Sequence, residues 1–279
     1  MDLDQYRQAS HDVWEAMAPG WEHRRDWIWE VSRAIGEWMV DRLDPQPGQT
    51  ILELAAGPGD TGFAAAARVG DEGRLISTDF SAEMVATAQR RAAELGISNA
   101  ELREMDAEHI DLPDACVDGA LCRWGYMLMA DPAAALSETR RVLRPGGRLA
   151  CATWAGPERN AWAAAPATLL VERGHIPPPE PGQPGIFAIA TPDRLGELLS
   201  GAGFSDVEVE EKELSWDFDG LDDYWEFLTG LAGVLAMVIR ELPPDEQAAV
   251  RAGVEASLAP YESDGGYTIG GVSLTAAAS

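Results

Sequence analysis

The stretch of sequence that decides the fold reads Thr50-Ile51-Leu52-Glu53-Leu54-Ala55-Ala56-Gly57-Pro58-Gly59-Asp60-Thr61-Gly62. Its apolar start predicts a buried β-strand, and its glycines predict a tight turn into a helix over residues 61–69. Glycines let the backbone approach a ligand closely, and the start of the next helix offers free N–H groups. Several classes of nucleotide-cofactor proteins use such a turn, and a turn without any ligand has the same pattern.

Short apolar runs alternate with helical stretches beyond this turn. Further strands are predicted at residues 74–78, 101–105, 118–122 and 148–153. Strand–helix alternation at this spacing is typical of a parallel sheet with helices on both faces. The predicted fold class is therefore α/β, with a Rossmann-like, doubly wound sheet.

The two ends of the chain depart from that alternation. Residues 5–43 are predicted to be helical, so that residues 1–44 form a helical N-terminal cap on a domain over 45–279. Within that domain, residues 220–262 are predicted to form a helical lid insertion, interrupted at Pro243-Pro244, before a final strand over 267–277.

Two further segments of the last third carry a specific expectation. Residues 176–185 are rich in proline and predict a stiff loop. Apolar residues alternate between 207 and 218, but their parity changes between Val209 and Leu214. This change predicts a bulge or a bend in that strand.

Two acids follow neighbouring strands. Asp79 ends the second strand, where a carboxylate accepts hydrogen bonds from a ribose diol, and Asp106 ends the third, where it accepts from an adenine amine. A helix N-terminal acid ahead of Ser81 and a solvated loop acid are the alternative interpretations. Because the carboxyl ends of parallel strands meet at one edge, the glycine turn and both acids are expected to converge on one crevice.

Five blocks in the same order resemble a known family. They are Glu53-Leu54-Ala55-Ala56-Gly57-Pro58-Gly59, Thr78-Asp79-Phe80-Ser81-Ala82-Glu83-Met84, Met105-Asp106-Ala107-Glu108, Leu112-Pro113-Asp114 with Val117-Asp118, and Arg141-Val142-Leu143-Arg144-Pro145-Gly146-Gly147. Residues 51–153 thereby resemble class I S-adenosylmethionine (SAM)-dependent methyltransferases, particularly the ubiquinone/menaquinone C-methyltransferase branch. The resemblance implies a seven-stranded sheet, with strands 1–6 parallel and strand 7 antiparallel. It also implies SAM as cofactor and S-adenosylhomocysteine as product.

The resemblance implies cofactor contacts residue by residue. The residues concerned are Trp21, Glu53, Ala55, Gly57, Gly59, Asp79, Phe80, Met84, Asp106, Ala107 and Arg123. The resemblance places Glu53 under the glycine loop near the methionine amino group, and Ala55, Gly57 and Gly59 along the methionine part of SAM. It places Arg123 near the same end of the cofactor. Asp79 corresponds to the ribose ligand. Phe80 and Met84 are expected to sandwich adenine, with Asp106 and the Ala107 N–H at its edge, and Trp21 to close over the cofactor from the cap.

The methyl acceptor is less constrained by the sequence. Cys122-Arg123-Trp124-Gly125-Tyr126 replaces the small-residue–His-His stretch that is common in quinone enzymes, which argues against a quinone substrate. The aromatic residues expected to line an acceptor pocket are Trp14, Trp124, Tyr126, Trp154 and Tyr224, and they favour a hydrophobic or aromatic small molecule. Packing in the apolar core is the alternative interpretation for Trp14, Tyr126, Trp154 and Tyr224. The candidates for a general base are His23, His175 and Tyr126, with structural roles as the alternative for each.

Composition and charge restrict the classes of partner, the location and the metal content that are expected. Lys+Arg 21 against Asp+Glu 47 gives a net charge of −26, which disfavours nucleic acid and anionic membranes as partners. There is no apolar run of about 20 residues for a membrane span and no secretory signal, so a cytoplasmic protein is expected. The three cysteines have no metal-ligand spacing, and no metal is expected. The oligomeric state stays open.

Two other functions remain as alternatives. A SAM-binding protein without methyl transfer shares every cofactor residue. An NAD(P)-dependent oxidoreductase shares the glycine loop and Asp79, but it leaves Asp106 and the Arg144-Pro145-Gly146-Gly147 turn unexplained.

Overall fold

The computed structural model of the protein describes residues 2–180 and 182–279. Met1 of the predicted cap and Pro181 of the predicted proline loop lie outside the described residues. The helices are α1 (Leu3–His23), α2 (Arg25–Leu43), α3 (Asp60–Val69), α4 (Ala82–Leu95), α5 (Pro132–Val142), α6 (Ala161–Glu172), α7 (Pro192–Gly201), α8 (Leu221–Leu231), α9 (Val234–Glu241) and α10 (Pro244–Leu258). The strands are β1 (Thr50–Leu54), β2 (Arg74–Asp79), β3 (Ala100–Glu104), β4 (Val117–Arg123), β5 (Leu143–Trp154), β6 (Glu208–Phe218), β7 (Glu262–Ser263) and β8 (Gly266–Ala278).

Seven strands form one continuous sheet in the order β3-β2-β1-β4-β5-β8-β6. The first five pair in parallel, and β8 is antiparallel to both β5 and β6, so that β6 runs parallel to the first five. The prediction of six parallel strands and an antiparallel last strand is confirmed. The strand count was one too low, because Glu262–Ser263 pairs with the start of β8 across Asp264-Gly265. Both turn residues have positive φ, the conformation that Asp-Gly hairpin turns require.

The strand order places helices on both faces of the sheet. The connections through α3 and α4 lead from β1 outward to β3, whereas the connection through α5 leads from β4 to β5 in the opposite direction. Because parallel crossovers are right-handed, opposite directions put the helices on opposite faces. The chain reverses between β1 and β4, and ligands of doubly wound sheets bind at the carboxyl ends of the strands beside such a reversal.

Three helical features differ from expectation. The helix predicted over 5–43 is divided at Arg24, whose backbone (φ −104°, ψ 13°) leaves helical geometry without a proline or glycine at that position. The insertion breaks at Pro243 as predicted, and also at Gly233, which has φ +57°. Helix α6 carries Pro166 in its interior and was not predicted.

The bulge predicted in β6 is wrong. The pairing of β6 with β8 continues from Glu208 to Phe218 without a register shift. The apolar alternation fails because two charged residues occupy the half-buried positions. The ammonium of Lys212 lies 5.4 Å from the Trp38 ring centroid and 2.6 Å from a carboxylate oxygen of Glu210. Glu210 also pairs with Arg42 of α2. Charge pairing with α2 therefore replaces apolar packing there.

The apolar interior consists of one large cluster and one small one. The large cluster contains the sheet and most of the helices around it. The small cluster joins Met17 and Ala18 of α1 to Met84 of α4 and Ala236 of α9. Close to it, a Cβ on Gly20 would overlap the carbonyl of Gly230, so that α1 and α8 approach backbone to backbone. Among the described residues, every helix is too short or too polar to traverse a bilayer.

Candidate functional site

The glycine loop lies between the carboxyl end of β1 and the start of α3. Ala55, Gly57 and Gly59 all have positive φ, at +49°, +53° and +88°. Gly59 is the N-cap of α3 and has no side chain to cap it. A Cβ on Gly57 would meet no atom of the described residues within 4 Å. The loop therefore presents backbone to open space beside a helix N-terminus, which is the arrangement that binds anionic or polar ligand groups.

Asp79 fastens this loop to the end of β2. One carboxylate oxygen accepts from the Gly57 N–H at 2.9 Å, and the other accepts from the Ser81 N–H at 3.0 Å. Burial raises the pKa of Asp79 to about 6 in spite of these hydrogen bonds. A carboxylate offers about four lone-pair sites, so Asp79 keeps acceptor capacity for a ligand.

Glu53 lies buried beneath the loop. It accepts from the Gly62 N–H and from the Ser77 hydroxyl, both at 2.7 Å. Burial raises its pKa to about 8. The glycine at 62 is required because a Cβ there would overlap the Glu53 carboxyl. Burial therefore favours the protonated form of this acid under the glycine loop.

Arg123 ends β4 next to the loop. Its Nε donates to the Thr61 hydroxyl at 2.9 Å, and its guanidinium lies 4.7 Å from the centroid of the Trp124 ring. Nη1 is buried and has no hydrogen-bond partner among the described residues. Burial lowers the pKa of Arg123. A buried donor without a partner is costly, so this atom is suited to an anionic ligand group.

The predicted adenine contacts follow β2 and β3. Asp106 is half-exposed, and one of its oxygens accepts from the Glu108 N–H at 2.8 Å. Ala107 and Met84 are buried, whereas Phe80 is half-buried. The His11 ring of α1 lies edge-on to Phe80, with 5.6 Å between the centroids. The structure therefore brings α1 against the residues expected to hold adenine.

Three of the predicted acceptor residues belong to one buried aromatic cluster. Trp124 stacks on Trp154 with 4.2 Å between centroids, and Tyr224 lies 5.0 Å from Phe218. The aromatic cluster consists of Trp27, Trp124, Trp154, Trp162, Trp216, Phe218, Tyr224 and Phe227. Trp124, Trp154 and Phe218 follow or end β4, β5 and β6, so the cluster lies at the same sheet edge as the glycine loop. Trp124 has φ +60°, a strained backbone that clusters at functional sites.

The remaining predicted residues lie elsewhere. Trp14 and Trp21 pack edge to face at 6.0 Å beside the small apolar cluster, and the Trp21 Nε1–H donates to the Leu231 carbonyl at 3.3 Å. Tyr126 is fully buried, shares a 2.8 Å hydrogen bond with Thr139 and has a pKa raised by burial.

Each of the two candidate histidines lies beside a glutamate carboxylate. His23 is exposed, 3.6 Å from Glu226, and His175 lies 3.1 Å from Glu246. Among the described residues, no cluster of three or more His, Cys, Asp or Glu side chains is arranged to hold a metal.

Sequence reasoning gave no role to several residues that the site depends on. Ser77 and Thr61 hold Glu53 and Arg123, and Trp162, Trp216 and Phe227 complete the aromatic cluster. Each comes from a different element, so no local sequence pattern marks them as neighbours. Glu108 belongs to one of the blocks that carry the family resemblance, but the resemblance implied no contact for it.

The buried acid predicts a pH-dependent stability. Since the pKa of Glu53 is about 8 when folded and 4.5 in its reference state, the folded chain holds a proton that the unfolded chain has lost between those values. The contribution of Glu53 to the free energy of unfolding is therefore largest below pH 4.5 and decreases as the pH rises to 8. Relative to Glu53→Gln, the wild type is expected to lose about 1 kcal/mol of unfolding free energy per pH unit in that window. Urea unfolding at pH 5, 6, 7 and 8 measures this difference, and parallel curves would contradict the buried acid.

Comparison with known proteins supports one family. Residues 51–147 match a family model described as a methyltransferase domain. A ubiquinone/menaquinone biosynthesis C-methyltransferase of Caulobacter vibrioides is 34% identical over 56% of this chain and 60% of that protein. A nocamycin O-methyltransferase of Saccharothrix syringae is 27% identical over 76% of this chain and 84% of that protein. A solved phosphoethanolamine N-methyltransferase 2 of Haemonchus contortus, in complex with SAM, has a TM-score of 0.54.

These proteins match different shares of the chain. The Haemonchus structure is 16% identical over 88% of this chain and 52% of that chain, so it shows the fold alone. The chain spans 34%, 41% and 60% of the length of the first three curated relatives. The matched domain, the named relatives and the sheet order agree with one another, and they support a class I SAM-dependent methyltransferase domain with SAM as its cofactor.

Proposed function

We propose that the chain transfers a methyl group from SAM to a small hydrophobic or aromatic molecule by in-line displacement. The observation that carries the proposal is the meeting of two features at one sheet edge. The glycine loop with Asp79 and Asp106 adjoins the aromatic cluster there, and Arg123 contacts both through Thr61 and Trp124. The first feature suits a nucleoside cofactor, and the second suits an apolar acceptor beside it.

The residues at the glycine loop fit SAM. Asp79 keeps lone pairs for the ribose hydroxyls, and the Arg123 Nη1 donor suits a carboxylate. The ammonium group of the methionine part, placed near Glu53, would favour the ionised form of that carboxyl. The other proposed contacts are Ala55, Gly57 and Gly59 for the methionine part, Phe80, Met84, Asp106 and Ala107 for adenine, and Trp21 from the cap.

The chain's own residues would act by binding and orienting. SAM, when bound, supplies a methyl group that is already activated by the sulfonium. The protein therefore has to align the two reactants and exclude water, for which we propose that α1 and α2 serve as the cap and residues 220–262 as the lid. We assign no general base, since one is needed only for an acceptor that must lose a proton. Tyr126, His23 and His175 all have structural partners instead.

The proposed acceptor class rests on the aromatic cluster and on charge. Seven rings of the cluster, all but Trp27, are buried, and Tyr224 and Phe227 belong to α8 of the lid. A net charge of −26 repels phosphate backbones, which favours a small molecule over nucleic acid. The names of the relatives cited above also refer to small-molecule chemistry.

The three free cysteines, Cys116, Cys122 and Cys151, agree with a reducing cytoplasm as the location.

A glycine-to-alanine pair tests the cofactor site. Gly57 and Gly96 both have positive φ (+53° and +69°), and a Cβ on either would meet no described atom within 4 Å. Both substitutions are expected to cost about 1–2 kcal/mol of stability through the same backbone strain. Only Gly57→Ala places a methyl group in the space assigned to SAM, and it is expected to weaken SAM binding about tenfold or more. Titration calorimetry with SAM measures both.

Two controls show whether a loss of SAM binding is specific to the glycine loop. NADH is expected to give no binding heat, and Gly96→Ala is expected to bind SAM as the wild type does. Equal SAM affinity in folded Gly57→Ala and wild type would remove the glycine loop from the cofactor site.

An acceptor panel tests the transfer itself. Formation of S-adenosylhomocysteine is measured with hydrophobic aromatic amines and with polar amines of similar size, because a neutral amine attacks the methyl group without a base. We expect product with members of the hydrophobic set and none with the polar set, because the buried rings favour apolar ligands. Tight SAM binding without product over the whole panel would favour the SAM-binding protein that does not transfer the methyl group.

A further inference from the structure

The first half of α1 is attached to the domain by a charged side-chain pair. Glu108 lies just after β3, and only 4% of its side chain is exposed. Its Oε2 accepts from Nη2 and Nε of Arg7, at 2.7 and 3.1 Å. Its Oε1 accepts from the Ala130 N–H at 2.8 Å. Both carboxylate oxygens are therefore engaged, one by α1 and one by the loop after β4.

A second contact joins the same two segments. The Tyr6 hydroxyl donates to the Leu128 carbonyl at 2.9 Å. Burial raises the pKa of Tyr6 to about 12, so that the hydroxyl keeps its proton. Tyr6 and Arg7 thus attach one turn of α1 to the 128–130 segment. We call Arg7, Glu108 and the Ala130 amide the latch.

Apolar packing contributes little to holding this part of α1. The only buried residues of the helix are Met17 and Ala18, in its second half. Residues 2–5 are exposed, and Leu3 is 44% exposed. The second half of α1 is fixed by other contacts, among them the Trp21–Leu231 hydrogen bond and the Arg24–Asp223 pair at 2.6 Å. The position of the first half therefore depends mainly on polar contacts. Among the carboxylates that make these contacts, Glu108 of the latch is the most buried.

The segments that the latch joins carry the proposed cofactor residues. Asp106 and Ala107 directly precede Glu108, and Arg123 precedes the 128–130 segment on the same connection. His11, one turn beyond Arg7, lies against Phe80. The latch forms only when α1 lies across this edge, so it stabilises that arrangement and no other.

We infer that Arg7 and Glu108 are positioning residues that hold α1 closed over the cofactor cleft and thereby raise the affinity for SAM. This inference rests on the proposed function, because it assigns the cleft to SAM. Neither residue has to touch the cofactor, since both act through the position of α1. The effect concerns closure more than global folding, because the affected half of α1 contributes little to the core.

The test uses Arg7→Gln, Glu108→Gln and the double variant. Asp4→Asn is the matched control, because Asp4 pairs with the same Arg7 side chain at 2.7 Å but is 87% exposed. Glu108→Gln keeps an acceptor for the Ala130 N–H, so it tests the pair with little change to the loop. Calorimetry gives SAM affinity, and hydrogen exchange of residues 3–13 without SAM gives closure.

The latch predicts a coupled pattern. Each single substitution is expected to raise the SAM dissociation constant about tenfold, since a charge-assisted hydrogen bond is lost. The double variant should match the singles, exchange in residues 3–13 should accelerate, and Asp4→Asn should stay within twofold of the wild type. Single variants that fold and bind SAM within twofold, or whose effects multiply in the double variant, would overturn the latch. A wild type that fails to bind SAM at all would instead refute the proposed function.

Discussion

The buried carboxyl of Glu53 is the interaction on which the cofactor edge depends. It connects the first turn of α3, through the Gly62 N–H, to the middle of β2, through Ser77. The glycine loop above it is fastened from the other side by Asp79. The loop is therefore held between two buried acids, which fix the backbone conformation of its positive-φ residues. Rigid backbone of this kind is what a cofactor site needs, because a preorganised site loses less entropy on binding.

Burying these acids also stores electrostatic energy at the site. Burial raises the pKa of Glu53 to about 8 and that of Asp79 to about 6, and Arg123 nearby lacks a partner for one buried donor. Glu53 and Arg123 are costly in the free protein and less costly beside a ligand of complementary charge, whereas Asp79 is stabilised by hydroxyl donors of a ligand. The same groups that weaken the free fold at neutral pH thus favour a ligand that carries both an ammonium and a carboxylate.

Local patterns predicted the centre of the sheet because β1, β2, β4 and β5 contain short apolar runs. They failed where distant elements decide the outcome. Lys212 and Glu210 occupy half-buried positions of β6 because they contact α2. Lys212 lies over the Trp38 ring and Glu210 pairs with Arg42, and no pattern within β6 indicates these contacts. The break at Arg24 has no proline or glycine to mark it. Arg7 and Glu108 are 101 residues apart, so their pairing becomes visible only when the fold brings them together.

Binding of SAM at the glycine loop above Glu53 is the claim on which the proposed function depends. The most direct measurement is the heat of SAM binding at pH 7 in two buffers of different ionisation enthalpy. An ammonium group near Glu53 lowers the pKa of that acid, so binding should release up to about one proton, and the release should disappear in Glu53→Gln. Failure of the folded protein to bind SAM, or binding with the same heat in both buffers, would contradict this placement of the cofactor.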